Sequence, residues 1–459
     1  MADFQYDSGM NDLFYTVAGD TPYAAVLTGT QDYISKAQKD ILNKEALTPE
    51  DVLTLKKYIE NYLMSNDVKC KDVGSMAELV DKLYKDMALY SFLTDYLDER
   101  KIDELGLEEI NINSWDCVFL KTKKEGKKRL NERFLSPQHA IDVVKRMLRH
   151  QNMTIDDSMP VALGTIGKNI RIAVMKTPVL DKEIGVSGSI RIVSFSCLKR
   201  EDLLKYGTLT KEMFDFLELC ITHKISICFV GETGSGKTGS AGSLLSEITK
   251  DATYRVITLE EGSREFSLVR RDEDGYPIND VIHLITVPNA KDEYNIDQDF
   301  LLENLMRYDP DIIGVGEMRS KESFTAAETS LTNHTVVTTT HAGSAADAYE
   351  RMVMLAKKAH EFTDATLYRL MAKAFPIIVF QEVLADGSRK VTEIIESEGV
   401  EGTEVKTRML YHYHVQDTYT DELGNVDVNG HFQKGEIITD RLREWFIRKG
   451  VPRMVAEKL

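Results

Sequence analysis

The chain has 459 residues, enough for two or three domains of roughly 150 residues each, and its 42% hydrophobic and 29% charged residues are those of an ordinary globular protein. A formal charge of −17 repels nucleic acid and anionic membrane surfaces, so contact with either needs a local basic patch. No apolar run approaches the roughly 18 residues that span a bilayer, the N-terminus lacks a secretory signal, and Cys70, Cys117, Cys197, Cys220 and Cys228 form no CxxC pair, which argues against a zinc ribbon or a disulfide framework and fits a reducing cytoplasm.

In chain order, residues 1–104 read as a mixed N-terminal segment and a helical region. In LTPEDVLTLKKYIENYLM, Thr48 is placed to cap, Pro49 suits the first turn, and Leu53, Leu55, Tyr58, Ile59 and Leu63 follow helical spacing. Residues 105–200 change to an α/β texture: EININ and DCVFLKT read as strands, SPQHAIDVVKRMLRH as a helix capped by Ser136, and NIRIAVMKT and SGSIRIVS as strands. Residues 201–212 read as a linker. From 213 to 459 strands alternate with helices (ISICFV, RVITLE, DIIGVGE, TVVTTTH), which implies a mostly parallel sheet covered on both faces, before a β-rich tail and a closing helix. The predicted fold class is α/β, with an N-terminal α/β domain and a C-terminal P-loop (RecA-like) NTPase domain.

GETGSGKT, comprising Gly231, Glu232, Thr233, Gly234, Ser235, Gly236, Lys237 and Thr238, fits G-x-x-x-x-G-K-[ST] at every fixed position, between an apolar strand and a helix. Glycines let successive N–H groups turn toward phosphate oxygens, and the helix brings its positive end to the same place. Lys237 is placed to reach the β- and γ-phosphates and Thr238 to ligate Mg²⁺, so ATP and Mg²⁺ are the expected ligands. No guanine-reading N-K-x-D motif is present. Glu317 ends a second apolar strand, where a parallel sheet brings strand ends beside the loop. A carboxylate there orients the attacking water or helps hold Mg²⁺. Its neighbour is Gly316, where many ATP-hydrolysing enzymes have aspartate.

IIGVGEMRS followed by TNHTVVTTTHAGSAADAYERM resembles the hexameric secretion ATPases of type II secretion, type IV and Tad-type pili, and conjugative type IV secretion. That family writes its second strand as apolar-Gly-Glu-x-Arg, which makes Glu317 the working carboxylate and matches Arg319. Its histidine box carries over to His334, Thr338, Thr339 and His341, with His341 at the nucleotide-sensing position. The two histidines lie roughly 23 Å apart along an extended strand, which excludes a shared metal. VITLEEGSREF resembles the acidic box, on Glu260 and Glu261, or with Glu261 and Gly262 in the slipped register. TIGKNIRIAV and SGSIRIV resemble the arginine-bearing segments, on Arg171 and Arg191, whose planar forks suit a departing phosphoryl group. LMRYDPDII makes Arg307 a further candidate, and LADGSRKVTEIIE matches the family's tail. The missing paired cysteines favour the Tad-pilus and conjugative-secretion branch.

The resemblance implies an ATP hydrolase that forms a homo-hexamer, sits in the cytoplasm at the inner face of the cell membrane, and drives membrane-embedded platform proteins, with no direct nucleic-acid contact. The rival readings are a DNA-translocating ATPase and a nucleotide-gated structural adaptor with little turnover. The basic run at 121–129 reads as a solvated turn or a contact for anionic lipid. His412 and His414 share one strand face with no evident third metal ligand.

Overall fold

A computed structural model of the chain describes residues 21–459 except 43, 45–46, 71–72, 124, 150–152, 167–169, 193–197, 262–263, 288–294, 360 and 423. Cys197, Gly262 and the N-terminal stretch read for a signal lie outside the described residues. Two compact units are present, Met1–Val193 and Ser194–Leu459.

The first unit opens with helices α1 (Tyr23–Ala37), α2 (Lys39–Leu42), α3 (Pro49–Ser65) and α4 (Met76–Ala88). Thr48 and Asp51 form a reciprocal capping box at the start of α3, with Pro49 at its first position. Leu55, Ile59 and Leu63 are buried against α1 and α4. Leu53, expected on that face, is exposed; two residues before Leu55 it points to the other side of the helix. The chain continues through α5 (Leu93–Tyr96), α6 (Glu99–Leu105), β1 (Leu107–Ser114), β2 (Cys117–Thr122), β3 (Gly126–Arg129), α7 (Pro137–Arg149), β4 (Val161–Ile166), β5 (Ile170–Lys176) and β6 (Val186–Ile192). The sheet is antiparallel in the order β3-β2-β1-β6-β5-β4. Val143, Val144, Met147 and Leu148 of α7 cover one face through Ile110, Ile112, Ile172, Val174 and Ile190. Alternation therefore puts Glu109, Arg171 and Arg191 on the other face. Arg146 of α7 donates to the carbonyls of Leu89 and Asp86 at 2.8 Å, and Tyr23 donates to the Asp86 carboxylate. These bonds tie α7, which covers the sheet, to α4, and α4 to α1.

The second unit contains α8 (Arg200–Lys205), α9 (Lys211–Thr222), β7 (Ile227–Val230), α10 (Lys237–Ile248), β8 (Val256–Glu260), β9 (Val281–Ile285), α11 (Gln298–Leu305), a 3-10 turn at Met306–Tyr308, β10 (Ile312–Val315), α12 (Glu322–Leu331), β11 (Thr335–Thr340), α13 (Asp347–Ala356), α14 (Asp364–Ala374), β12 (Ile377–Val383), β13 (Arg389–Glu401), β14 (Glu404–Thr420), β15 (Val426–Lys434), α15 (Asp440–Arg448) and α16 (Arg453–Ala456). The sheet order is β15-β14-β13-β12-β7-β11-β10-β8-β9. The six strands from β12 to β9 are parallel, and β13 to β15 continue the sheet as an antiparallel meander. One core packs α9, α10 and α15 on one face, through Phe214, Leu217, Leu244 and Phe446. A second packs α11 to α14 on the other, through Leu302, Ala326, Met352 and Met371. The central strands β7, β8, β10 and β11 are buried along their whole length because both faces are covered. No helix among the described residues is long and apolar enough to cross a membrane.

Candidate active site

In a parallel sheet the strand ends that face one crevice are the carboxyl ends. Here those of β7, β8, β10 and β11 deliver the phosphate loop, Glu260 and Glu261, Glu317, and His341 respectively.

The loop from Gly231 to Gly236 needs glycine at its three glycine positions, with φ of +148°, +86° and +93° at Gly231, Gly234 and Gly236. A β-carbon on Gly231 would lie 1.9 Å from the Gln381 carbonyl oxygen. Gln381 Nε2 donates to Ser235 O at 2.7 Å, and the Ser235 hydroxyl donates to Glu232 O at 3.0 Å. Glu232 and Thr233 stay exposed at the tip. Lys237, the first residue of α10, bends back so that Nζ donates to Gly231 O at 2.9 Å and Glu232 O at 2.8 Å. Burial lowers its pKa, with Glu317 opposing that shift. Phosphate oxygens would give this ammonium the anionic partner that the carbonyls only approximate. Thr238 is half-buried.

Gly316 explains the absent aspartate. It is buried, and a β-carbon there would meet Glu260 Cγ at 3.2 Å and the Leu259 carbonyl at 3.5 Å. Glu260 fills that space. Its Oε1 accepts the backbone N–H groups of Glu265 and Phe266, which folds the loop after β8 back on the strand end. The following residues are tied to β11: Met318 N–H donates to Thr339 O at 2.8 Å, Thr339 Oγ1 to Gly316 O at 2.8 Å, and Thr340 Oγ1 to Met318 O at 2.9 Å. These ties hold Glu317 opposite His341.

A continuous polar chain results. Glu317 Oε1 lies 3.1 Å from His341 Nε2, and Glu317 Oε2 accepts from Arg319 Nη2 at 2.8 Å. Arg319 Nη1 donates to Glu261 Oε2 at 2.9 Å. His341 Nδ1 lies 3.4 Å from Lys237 Nζ and 3.2 Å from Gly231 O. A neutral imidazole protonated on Nε2 donates to Glu317 and accepts from Lys237; an imidazolium donates to both Glu317 and Gly231 O. Lys237, His341, Glu317, Arg319 and Glu261 are thus linked side chain to side chain. Of the acidic-box pair, Glu261 joins this chain and Glu260 faces inward. The sequence pointed to Arg319 only through its family match; its bridge between two carboxylates comes from the β8–β10 pairing. Gln381 and Arg389, which support the loop, carried no site signal of their own.

Arg171 and Arg191 lie in the first unit. They are direct cross-strand partners on β5 and β6, and Arg191 also faces Glu109 on β1. Arg307 is in the 3-10 turn before β10, at the end of that strand opposite to Glu317. His334 precedes β11 and its Nδ1 contacts Pro310 O at 2.9 Å, while His341 follows the same strand. The run 121–129 includes the β2–β3 hairpin, with residues 126–129 exposed. His414 on β14 faces His431 on β15, ring centres 5.7 Å apart. Among the described residues no three His, Cys, Asp or Glu side chains form a metal-ligand group.

The profile of the family described as type II/IV secretion system protein matches residues 138–409. An uncharacterized protein of Methanocaldococcus jannaschii is 26% identical over 273 residues, 58% of this chain and 47% of that one, so the match spans about half the length of that relative. The type IV secretion system protein VirB11 of Bartonella henselae is 24% identical over 307 residues, 59% of this chain and 83% of that one. The crystal structure of the VirB11 ATPase of Brucella suis is similar at 23% identity and a TM-score of 0.34, covering 64% of this chain and 94% of that one. The family match takes in more than half of the chain, with the phosphate loop, Glu261, Glu317 and His341 all inside it, and the chain belongs to the type II/IV secretion system protein family, the secretion and pilus-assembly ATPases.

Proposed function

We propose that this chain is a Mg²⁺-dependent ATP hydrolase, the motor of a secretion or pilus-assembly system. The observation that carries the reading is the link from Lys237 through His341 to Glu317: a phosphate-binding lysine, a histidine and a carboxylate within hydrogen-bond reach of one another at the mouth of a phosphate loop.

In this reading the loop amides and Lys237 hold the β- and γ-phosphates. The Thr238 hydroxyl, which has no hydrogen-bond partner among the described residues, and the Glu317 carboxylate are hard oxygen donors of the kind Mg²⁺ takes. Bound Mg²⁺ supplies neutralisation of charge on the phosphate oxygens. Glu317 orients the attacking water and accepts its proton. His341, touching both Lys237 and Glu317, is placed to register whether the phosphates are present. Glu261 sets the Arg319 guanidinium that holds one oxygen of Glu317, and Glu260 braces the neighbouring loop. Arg171 and Arg191 stabilise charge on the departing phosphoryl group when nucleotide is bound. The motor works as a homo-hexamer at the cytoplasmic face of the membrane and moves membrane-embedded platform proteins.

Steady-state ATP hydrolysis with and without Mg²⁺, on wild type and Lys237→Ala, tests the assignment. Mg²⁺-dependent turnover that is abolished in Lys237→Ala is expected. Wild-type turnover in Lys237→Ala refutes the site, and nucleotide binding without turnover in wild type favours the adaptor.

A further inference from the structure

The tail segment at 384–396 does more than extend the sheet. Between β12 and β13 the chain makes a tight turn. Leu384 N–H donates to Ser388 O and Gly387 N–H to Leu384 O, both at 2.8 Å, with Gly387 at φ +79°. This fixes the register Val383 opposite Arg389 and Glu382 opposite Lys390. Successive side chains on a strand leave in opposite directions, and these two leave toward different partners.

Arg389 lies along the phosphate loop. Its Nε donates to Gly234 O at 3.0 Å, and its Cδ is 3.2 Å from where a β-carbon on Gly236 would be. Gly234 C=O and Ser235 N–H belong to one peptide plane. Ser235 N–H makes only a 3.4 Å bond, to Glu232 O, and so is available to a phosphate. A phosphate on that N–H polarises the peptide and strengthens the bond from Arg389 to its carbonyl.

Lys390 grips the connector between α8 and α9. Its Nζ donates to Gly207 O at 2.7 Å and lies 3.4 Å from Tyr206 O. Val391 N–H donates to Thr208 O at 2.8 Å. Burial lowers the Lys390 pKa, so the connector carbonyls replace solvation that its ammonium has lost.

We propose that Arg389 and Lys390 form a clamp coupling occupancy of the phosphate loop to the connector at 206–210, with Arg389 responding to the loop and Lys390 holding the connector. Both are positioning residues. The clamp rests on the nucleotide reading of the loop, and it extends that reading to how the occupied loop is sensed at the start of the second unit.

The test is hydrogen–deuterium exchange of the full chain, followed in peptides covering 200–212, without ligand and with saturating Mg–ADP. Binding of a fluorescent ADP is measured in parallel. In wild type, ADP slows exchange at 206–210. In Arg389→Ala and Lys390→Met, each brought to saturation by its own measured affinity, that response is lost, and Arg389→Lys restores less than half of it because an ammonium has no fork to lie along the loop. Lys390→Met keeps the KM for ATP within about threefold while kcat falls by about tenfold, the pattern of a lost transition-state contribution at unchanged binding. If Arg389→Ala fails to fold, Arg389→Lys and Lys390→Met make the same comparison. A wild-type ADP response persisting in both position-389 and position-390 variants overturns the clamp, as does ADP binding to wild type with no change at 206–210. Absence of ADP binding to wild type overturns the nucleotide reading instead.

Discussion

Restoring the aspartate that many ATP-hydrolysing enzymes carry before the strand-end glutamate should damage this protein. Gly316→Ala adds one methyl group whose carbon meets Glu260 Cγ at 3.2 Å. Small shifts relieve that contact at a cost of about 1 kcal/mol. Gly316→Asp puts a carboxylate in the same shell as that of buried Glu260. Two like charges about 4 Å apart repel by roughly 4 kcal/mol at an effective dielectric of 20. Proton uptake by one of the pair limits the cost at pH 7 to about 4 kcal/mol, some three pKa units at 1.36 kcal/mol each. The Gly316→Asp protein is therefore expected to lose about 3–4 kcal/mol, a large part of an ordinary stability of about 5–15 kcal/mol. Urea denaturation at pH 7.5 and pH 5 measures this. The deficit should shrink at the lower pH, where protonating a carboxyl costs less, and adding Glu260→Gln should recover about half of it. If Gly316→Asp is as stable as Gly316→Ala to within about 0.5 kcal/mol, comparable to the scatter of ordinary surface substitutions, Glu260 is not the reason for the glycine.

Glu317→Gln should retain nucleotide binding and lose turnover by on the order of 10²-fold, since an amide accepts no proton; a kcat drop below threefold in a coupled-enzyme assay places the carboxylate elsewhere, with Glu261 next. Arg171→Ala and Arg191→Ala should each slow hydrolysis while ADP affinity stays within about threefold, roughly 0.7 kcal/mol, because the role proposed for them is on a phosphoryl group that ADP lacks; equal losses of ADP and ATP binding by calorimetry refute that role. His283, held neutral between Thr258 Oγ1 and Leu268 N–H, has its pKa pushed down to about 4, first by burial and then by Arg264. Below pH 6.5 the unfolded chain takes a proton that the folded one refuses, so stability falls between pH 6.5 and 4 by about 3 kcal/mol. Urea midpoints at pH 7 and 4.5 should show a smaller loss in His283→Gln than in wild type.

What the sequence reveals depends on whether the signal is local. The phosphate loop is legible because its glycines, lysine and threonine are contiguous and flanked by an apolar strand and a helix. The buried strands β7, β8, β10 and β11 are legible because coverage on both faces leaves short runs without exposed charge, apolar in β7 and β10 and β-branched throughout in β11. β9 is not, since VIHLI is half-buried at the sheet edge and interrupted by His283. β15 is not, since VDVNGHFQK is an edge strand dominated by polar residues, and β4 is broken by Gly164 within a six-residue strand. Which acidic-box residue turns toward Glu317 depends on the pairing of β8 with β10 and on the backbone that Glu260 caps, neither of which is a property of VITLEEGSREF alone. Arg171 and Arg191 are separated by twenty residues in sequence and become neighbours only through the β5–β6 register.

The strand order also bears on how the protein is made. β7, which carries the phosphate loop, pairs with β11 from Val337 to Thr340 and with β12 from Ile377 to Phe380. The loop itself is held by Gln381 and Arg389. During synthesis from the N-terminus, Gly231 to Thr238 emerge long before any of these supports exist. Loop closure across such separations makes pairing slow, and domains generally form as units once their distant strands are present. A nascent chain halted before Phe380 holds the complete phosphate-loop sequence and lacks the strand and two side chains that shape it. On the proposed reading of the loop, nucleotide binding therefore waits for the finished fold, after β12 and the turn to β13 have joined the sheet, and is not expected of a shorter nascent chain.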